Sequence, residues 1–392
     1  MLTTLAVAGF RSLREVVLPL GQLTVVTGAN GTGKSSLYRA FGLLADAAEG
    51  RLVPALAGMG GLDSVLWAGP EVVSGAMRRG EVAVQGTGSR KRPVALQLGF
   101  ASDDMSYLVD VGLPPPQGFR PDNRPSLFGR DPHIKREVVW AGPVLRPAAL
   151  LLERKGADVR VRDDAWHHLT WGPATYQSVL DELADPVGRP EVGAVRRQVR
   201  SWRFYDSFRV DATAPARLPQ VGTRTEVLAR DGSDLAPAIA TIQESAWADP
   251  FAEAVADAFE GAKVSIDVMS GRFEVAMIQR GMLRPMQGAE LSDGTLRFLL
   301  LATALLSPRP PSLLVLNEPE TSLHPDVIPA VGRLVKRAAE RCQVVVVTHA
   351  KSLVAALDGD DVEHHELIKD LGETRIADQG LLARPTWAWG SR

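Results

Sequence analysis

Short alternating runs of apolar and β-branched residues fill much of this chain, with stretches of helical spacing between them. Residues 2–8 and 13–27 are predicted to be strands of a small hairpin, with Gly9-Phe10-Arg11-Ser12 in the bend. The second strand ends in Leu23-Thr-Val-Val-Thr27. After a glycine-rich interruption, Ser36-Leu37-Tyr38-Arg39-Ala40-Phe41 opens an apolar-periodic helix that should reach about Ala48 and stop near Gly50. From Gly80 to Val111 the pattern turns antiparallel, through Glu81–Gln85, Pro93–Leu98 and Tyr107–Val111. A Pro-, Gly- and Arg-rich loop begins at Pro114 and runs to about Asp131. Further strands are expected over 135–170, and short amphipathic helices over 174–184 and 190–203. Helices at about 234–245 and 250–259 lead into a hairpin, Val264–Val268 with Phe273–Met277, turning at Ser270-Gly271. No internal repeat or sustained heptad pattern occurs, so coiled-coil arms are not expected.

Composition narrows the class. A chain of 392 residues has room for two or three structural units, since one core seldom grows past roughly 250–300 residues. A formal net charge of −2 argues against a protein that coats nucleic acid over its whole surface, while leaving local basic patches open. Two such patches are Arg90-Lys91-Arg92, at an expected hairpin tip, and Arg196, Arg197, Arg200 and Arg203, expected on one helix. A solvated face is the ordinary reading of both, and nucleic-acid contact the sharper one. The single Cys342 rules out an intramolecular disulfide and suits a reducing cytoplasm, the expected location. The start, Met1-Leu-Thr-Thr-Leu, does not read as a signal peptide, and Phe298–Leu306 is about half the length of a membrane span. Neither His167-His168 nor His364-His365 has metal-ligand spacing, and Asp358-Gly-Asp-Asp361 reads as a helix-terminating loop.

Chemistry concentrates in three places. Gly28-Ala29-Asn30-Gly31-Thr32-Gly33-Lys34-Ser35 matches G-x-x-x-x-G-K-[ST] between a strand and a helix. There glycines let main-chain N–H groups close around a polyphosphate, and the helix N-terminus adds partial positive charge. Lys34 would reach the β- and γ-phosphates and Ser35 would ligate Mg²⁺. Near the C-terminus the buried strand Leu313–Leu316 ends in Asn317-Glu318-Pro319-Glu320. An aspartate is usual where Asn317 stands. Losing that charge about 5 Å from a dication forfeits roughly 6 kcal/mol of raw Coulomb energy at an effective dielectric of about 20. Much of it returns because no carboxylate is desolvated, so weakened Mg²⁺ binding is expected rather than a dead site. Upstream, Ser292 or Asp293 should cap the helix that continues Leu296-Arg297-Phe298, aiming a second helix dipole past Gly294. One triphosphate site does not need two anion devices in cis.

These motifs follow one another in the order of an ABC-type ATPase head. The loop 28–35, Leu291–Thr295, Asn317-Glu318, Ser322-Leu323-His324-Pro325 and Val344–His349 resemble its Walker A, signature, Walker B, D-loop and switch-histidine motifs. The bend 9–13, Trp202–Arg209 and Asp231–Leu235 bring the chain closer to RecF-like and SMC-like heads, and to predicted RecF-type ATPases of the AAA_21 group. The resemblance implies an α/β fold: a P-loop NTPase head with a mixed β-sheet, an N-terminal antiparallel β subdomain and an inserted α+β region. The expected division is 1–112, 113–262 and 263–392. It further implies ATP as ligand, contacted by Gly28, Asn30, Gly31, Thr32, Gly33, Lys34, Ser35, Ser36 and Arg11. Mg²⁺ would be held by Ser35 and, through water, by Asn317. Glu318 matches the catalytic carboxylate, assisted by His349 and Lys34. Ser292 and Gly294 match residues that touch the γ-phosphate of an opposite protomer. Gln85, Gln97 and Gln117 are the candidates for the Q-loop glutamine.

Such a head is expected to hydrolyse ATP as a head-to-tail homodimer in a DNA-related process, repair or anti-phage defence. The alternative is a low-turnover nucleotide switch that recruits a separate effector protein. A second copy, DNA and an effector are the partners implied, and no membrane. A transporter subunit fits the RecF-like features less well. The 43 residues after His349 are too few for the nuclease domain of OLD-type proteins.

Overall fold

The computed structural model describes residues 1–70, 74–79, 81, 95–114, 127–185, 188–206, 208–377, 379–380 and 384–390. They form two compact units. The first gathers 1–21, 27–201 and 365–392, and the second 22–26 and 202–364. This grouping differs from the three-part division expected from sequence, because residues 113–201 pack with the N-terminal segment and only 202–262 pack with the C-terminal motifs.

The first unit is built on an eight-stranded sheet in the order β2-β1-β4-β5-β6-β7-β8-β9. Its strands are β1 (Leu2–Phe10), β2 (Leu13–Pro19), β4 (Leu96–Ser102), β5 (Met105–Gly112), β6 (His133–Ala141), β7 (Leu150–Lys155), β8 (Asp158–Arg162) and β9 (Trp166–His168). All neighbours pair antiparallel. The stretch 13–27 is not one strand. β2 ends at Pro19, and a new strand, β3 (Leu23–Gly28), begins after Leu20-Gly21-Gln22. Of the expected strand 81–85 all but Glu81, together with residues 93–94, the loop 115–126 and the tip Arg90-Lys91-Arg92, lie outside the described residues. The helix Lys34–Ala48 follows the phosphate loop as predicted. Of the segment 174–184 only Val179–Glu182 is helical, capped by Ser178. Arg196 and Arg200 share the helix Pro190–Arg200, but Arg203 lies in the next strand, and Arg196 is tied to Asp181 at 2.6 Å.

In the second unit, β10 (Arg203–Tyr205), β15 (Leu313–Asn317), β16 (Gln343–Val347) and residues 23–26 of β3 run parallel in that order. These strands are nearly continuous apolar runs because helices cover a parallel sheet on its faces. The helix Asp293–Leu305 is buried from Thr295 to Leu305, which explains its all-round hydrophobicity without a membrane. Among the described residues no helix is long and apolar enough to cross a membrane. A small antiparallel sheet centres on β13 (Arg272–Ile278). It pairs with β11 (Gln220–Val221), β12 (Lys263–Met269) and β14 (Met286–Gln287). The hairpin turns at Ser270-Gly271, both with positive φ (52° and 76°), as a two-residue turn of this hand requires. The chain then returns to the first unit through β17 (Val362–Asp370) and β18 (Glu373–Ile376).

Candidate active site

In the first unit the phosphate loop is held by its own atoms and by β18. Gly28, Gly31 and Gly33 have φ of 146°, 79° and 106°, conformations that side chains rarely adopt. A Cβ on Gly33 would also collide with Thr374 Oγ1. Gly33 sits at the N-terminus of the helix Lys34–Ala48, where no side chain caps the first N–H groups. A helix N-terminus of this kind, with its partial positive charge, is where an anion binds. Lys34 is only 5% exposed, and its Nζ donates to Gly28 O (2.6 Å) and Ala29 O (3.0 Å). Its ammonium thus lies across the mouth of the loop. Asn30, Gly31 and Ser35 are exposed, while Thr32 and Ser36 are buried. Thr32 Oγ1 donates to Ala29 O at 2.8 Å, closing the loop on itself.

Sequence reasoning missed what fixes this loop. Thr374 Oγ1 lies 2.6 Å from Thr32 O and 2.8 Å from Ser12 Oγ. Its main-chain N–H donates to Ser12 O at 2.7 Å. One threonine on β18 therefore joins the phosphate loop to the bend after β1, where Arg11 stands. Arg11 is itself in the left-handed region (φ 51°), with its N–H bonded to Val65 O at 2.6 Å. Partial burial, and then the neighbouring Arg39 guanidinium, lower the Arg11 pKa. No local signal marks Thr374, since 342 residues separate it from Thr32.

The second unit gathers the other motifs at the C-terminal ends of β15 and β16. Glu318 follows β15 with φ 49°, a strained conformation costing about 1–2 kcal/mol for a residue with a Cβ. Its N–H donates to Val347 O at 2.7 Å, which pins the turn to β16. His349 Nδ1 lies 3.3 Å from Glu318 Oε1 and 3.8 Å from Glu320 Oε1. The same Glu320 oxygen accepts from Thr348 Oγ1, while its Oε2 is buried without a partner. Asn317 Oδ1 is likewise buried and unpartnered. A buried amide oxygen without a partner is an acceptor that a Mg²⁺-bound water could fill, so Asn317 fits the water-mediated role expected of it.

Ser292, rather than Asp293, caps its helix: Ser292 Oγ accepts from Thr295 N at 3.1 Å. A Cβ on Gly294 would stand 3.1 Å from Ser322 O, so the signature turn abuts the D-loop, whose Ser322 has φ 64°. The turn is held by a residue that sequence did not flag. Arg217, 5% exposed, donates to Leu291 O (2.6 Å), Gly288 O (3.1 Å), Val210 O (2.8 and 3.0 Å) and Asp293 Oδ1 (2.6 Å). A guanidinium suits such a site because its five donors lie in a fixed fork.

Gln97 lies inside β4 and donates to Asp110 Oδ2 at 3.1 Å, a sheet contact rather than a loop position. Gln85 and Gln117 fall outside the described residues. Asp358–Asp361 lies between the helix Lys351–Leu357 and β17, outside any helix or strand, as a helix-terminating loop does.

Known proteins agree with this geometry at the level of fold. The chain is similar to an Smc head domain with an extended coiled coil, bound to the C-terminal domain of ScpA, from Pyrococcus furiosus. The identity there is 13%, the coverage 96% of this chain and 95% of that one, and the TM-score 0.52. An SmcHead bound to the C-winged helix domain of ScpA gives 14%, 97% and 98%, and 0.50. An SMC head domain from Thermotoga maritima gives 14%, 97% and 99%, and 0.46. No curated protein matches the chain. The fold is that of an SMC- and RecF-like P-loop ATPase head. The family profile described as "AAA domain, putative AbiEii toxin, Type IV TA system" (AAA_21) matches residues 23–355, and the chain belongs to that family of AAA-type ATPases.

Proposed function

We propose that this protein binds ATP with Mg²⁺ at Gly28–Ser36, hydrolyses it with Glu318, and closes head to tail with a second copy on the bound nucleotide. The observation that carries the reading is the strained Glu318, held on His349 at 3.3 Å at the end of β15. Strain of this kind persists where geometry is needed for chemistry. In this reading the uncapped helix N-terminus and Lys34 bind the β- and γ-phosphates. Arg11 adds a further cation. Ser35 and, through water, Asn317 serve the Mg²⁺, whose charge neutralises the phosphate oxygens. Glu318 orients the attacking water and accepts its proton, and His349 contacts the γ-phosphate. Ser292 and the Gly294 N–H take the γ-phosphate of the partner copy, a role that fits an N-terminus whose own chain has already supplied one phosphate site.

One observation favours a second reading. The unpartnered Asn317 oxygen replaces a carboxylate, and weaker Mg²⁺ binding would slow turnover. The protein would then be a nucleotide switch that recruits a separate effector. DNA is the remaining partner we infer, in repair or anti-phage defence. Steady-state hydrolysis with and without DNA separates the readings: an ATPase turns over and Glu318→Gln slows it at least a hundredfold with ATP affinity kept. Equal turnover in wild type and Glu318→Gln would remove Glu318 from the chemistry. Near-zero turnover with tight binding in wild type would select the switch.

A further inference from the structure

Two buried, oppositely charged groups beside the catalytic turn each have an unused bonding position. Arg297 lies on the helix that Ser292 caps, three residues after Gly294, and is 6% exposed. Its terminal nitrogen donates to Glu318 O at 3.3 Å, a long bond, and its Nε is buried with no partner. Glu320, 8% exposed, keeps one oxygen on Thr348 and leaves Oε2 buried and unpartnered. Burial lowers the Arg297 pKa, and the nearby carboxylates of Glu320, Asp206 and Glu318 work against that, Glu320 foremost. An unpaired donor and an unpaired acceptor of full charge are costly in a low-dielectric interior. The cost is removed if they meet. The guanidinium already holds the main chain of Glu318, so its release toward Glu320 frees the turn that carries the residue assigned to water activation.

We propose that Arg297 is a positioning residue that switches from Glu318 O toward Glu320 when the signature turn binds a phosphate, and thereby sets the Glu318 carboxylate for hydrolysis. This rests on the reading of Ser292 and Gly294 as the partner copy's γ-phosphate contacts, and names how that contact is felt at the catalytic turn. The helix Asp293–Leu305 is the lever. Its N-terminus carries the phosphate contacts and its second turn carries Arg297. The ion pair forms only in the closed state, so it stabilises that state and not ATP binding to a single copy.

The test measures kcat, KM and ATP affinity for Arg297→Gln, Arg297→Lys, Glu320→Gln and Arg297→Gln/Glu320→Gln in the full chain, with thermal melting as a folding check. Arg297→Gln should lose at least tenfold in kcat while KM and the ATP Kd stay within about twofold. Arg297→Lys, keeping the charge, should recover part of that loss. The double variant should be no worse than the poorer single variant, as two residues acting through one pair require. Losses that multiply, or a wild-type kcat in Arg297→Gln, would overturn the switch. If Arg297→Gln does not fold, Glu320→Gln carries the test: unchanged kcat there overturns the pair. A wild-type chain that neither hydrolyses ATP nor gains mass on ATP in the Glu318→Gln background overturns the underlying reading instead. Hydrolysis and closure with indifferent Arg297 and Glu320 overturn only this inference.

Discussion

Replacing Thr374 by valine removes a hydroxyl and little else, at a place that local sequence does not mark. Thr374 is 2% exposed and bonds both Thr32 O (2.6 Å) and Ser12 Oγ (2.8 Å). A hydroxyl has one proton and a carbonyl only accepts, so Thr374 donates to Thr32 O and accepts from Ser12. Valine loses both bonds, each worth about 0.5–1.5 kcal/mol net, and leaves a partner oxygen facing a methyl group. The loss should total about 2–3 kcal/mol. In a chain of 392 residues, with an unfolding entropy of about 2.1 cal/mol/K per residue, that lowers the melting midpoint by roughly 2–4 °C. Since Thr32 belongs to the phosphate loop, part of the loss should appear in binding: about 1 kcal/mol of loop ordering raises the ATP Kd about fivefold. Urea unfolding and ATP titration measure the two effects, with Thr374→Ser as the control that keeps the hydroxyl. Stability within about 0.5 kcal/mol of wild type, together with unchanged ATP affinity, would refute the claim that β18 holds the loop.

Two further outcomes follow from the site. Lys34→Ala should abolish tight ATP binding, because its buried ammonium is the main side-chain charge at the loop; unchanged affinity by titration would place the nucleotide elsewhere. Asn317→Asp should lower the Mg²⁺ concentration for half-maximal hydrolysis by restoring the charge whose raw value at about 5 Å is roughly 6 kcal/mol; an unchanged or higher requirement would show a site packed around the amide.

Where the physics is local, the sequence was legible. The glycines at 28, 31 and 33 need positive φ, Ser292 needs only the N–H of Thr295, and the hairpin at Ser270-Gly271 needs only its own turn. These follow from propensities within a few residues. The reading of 13–27 as one strand failed because apolar residues continue across Leu20-Gly21-Gln22, and periodicity alone does not see a break in pairing. Arg203 went to the wrong element for a similar reason, since a charge at helical spacing gives no helix end. Thr374 and Arg217 were out of reach altogether: their partners Thr32 and Asp293 lie 342 and 76 residues away, and a lone Thr or Arg has no pattern to detect. The strain at Glu318 was hidden too, because nothing in a glutamate's neighbours announces a left-handed backbone.

The central claim is that ATP forms part of the interface between two copies. An N-terminus capped by Ser292 and a phosphate loop closed by Lys34 give each chain two anion devices, and a two-fold pair would use both at once. Light scattering on Glu318→Gln, with ATP and with ADP, tests this most directly, alongside the same protein carrying Ser292→Arg. The account predicts that Glu318→Gln doubles its mass with ATP and not with ADP, and that adding Ser292→Arg prevents the doubling while ATP still binds. A mass that ignores nucleotide in both proteins, together with normal hydrolysis in Ser292→Arg alone, would contradict it.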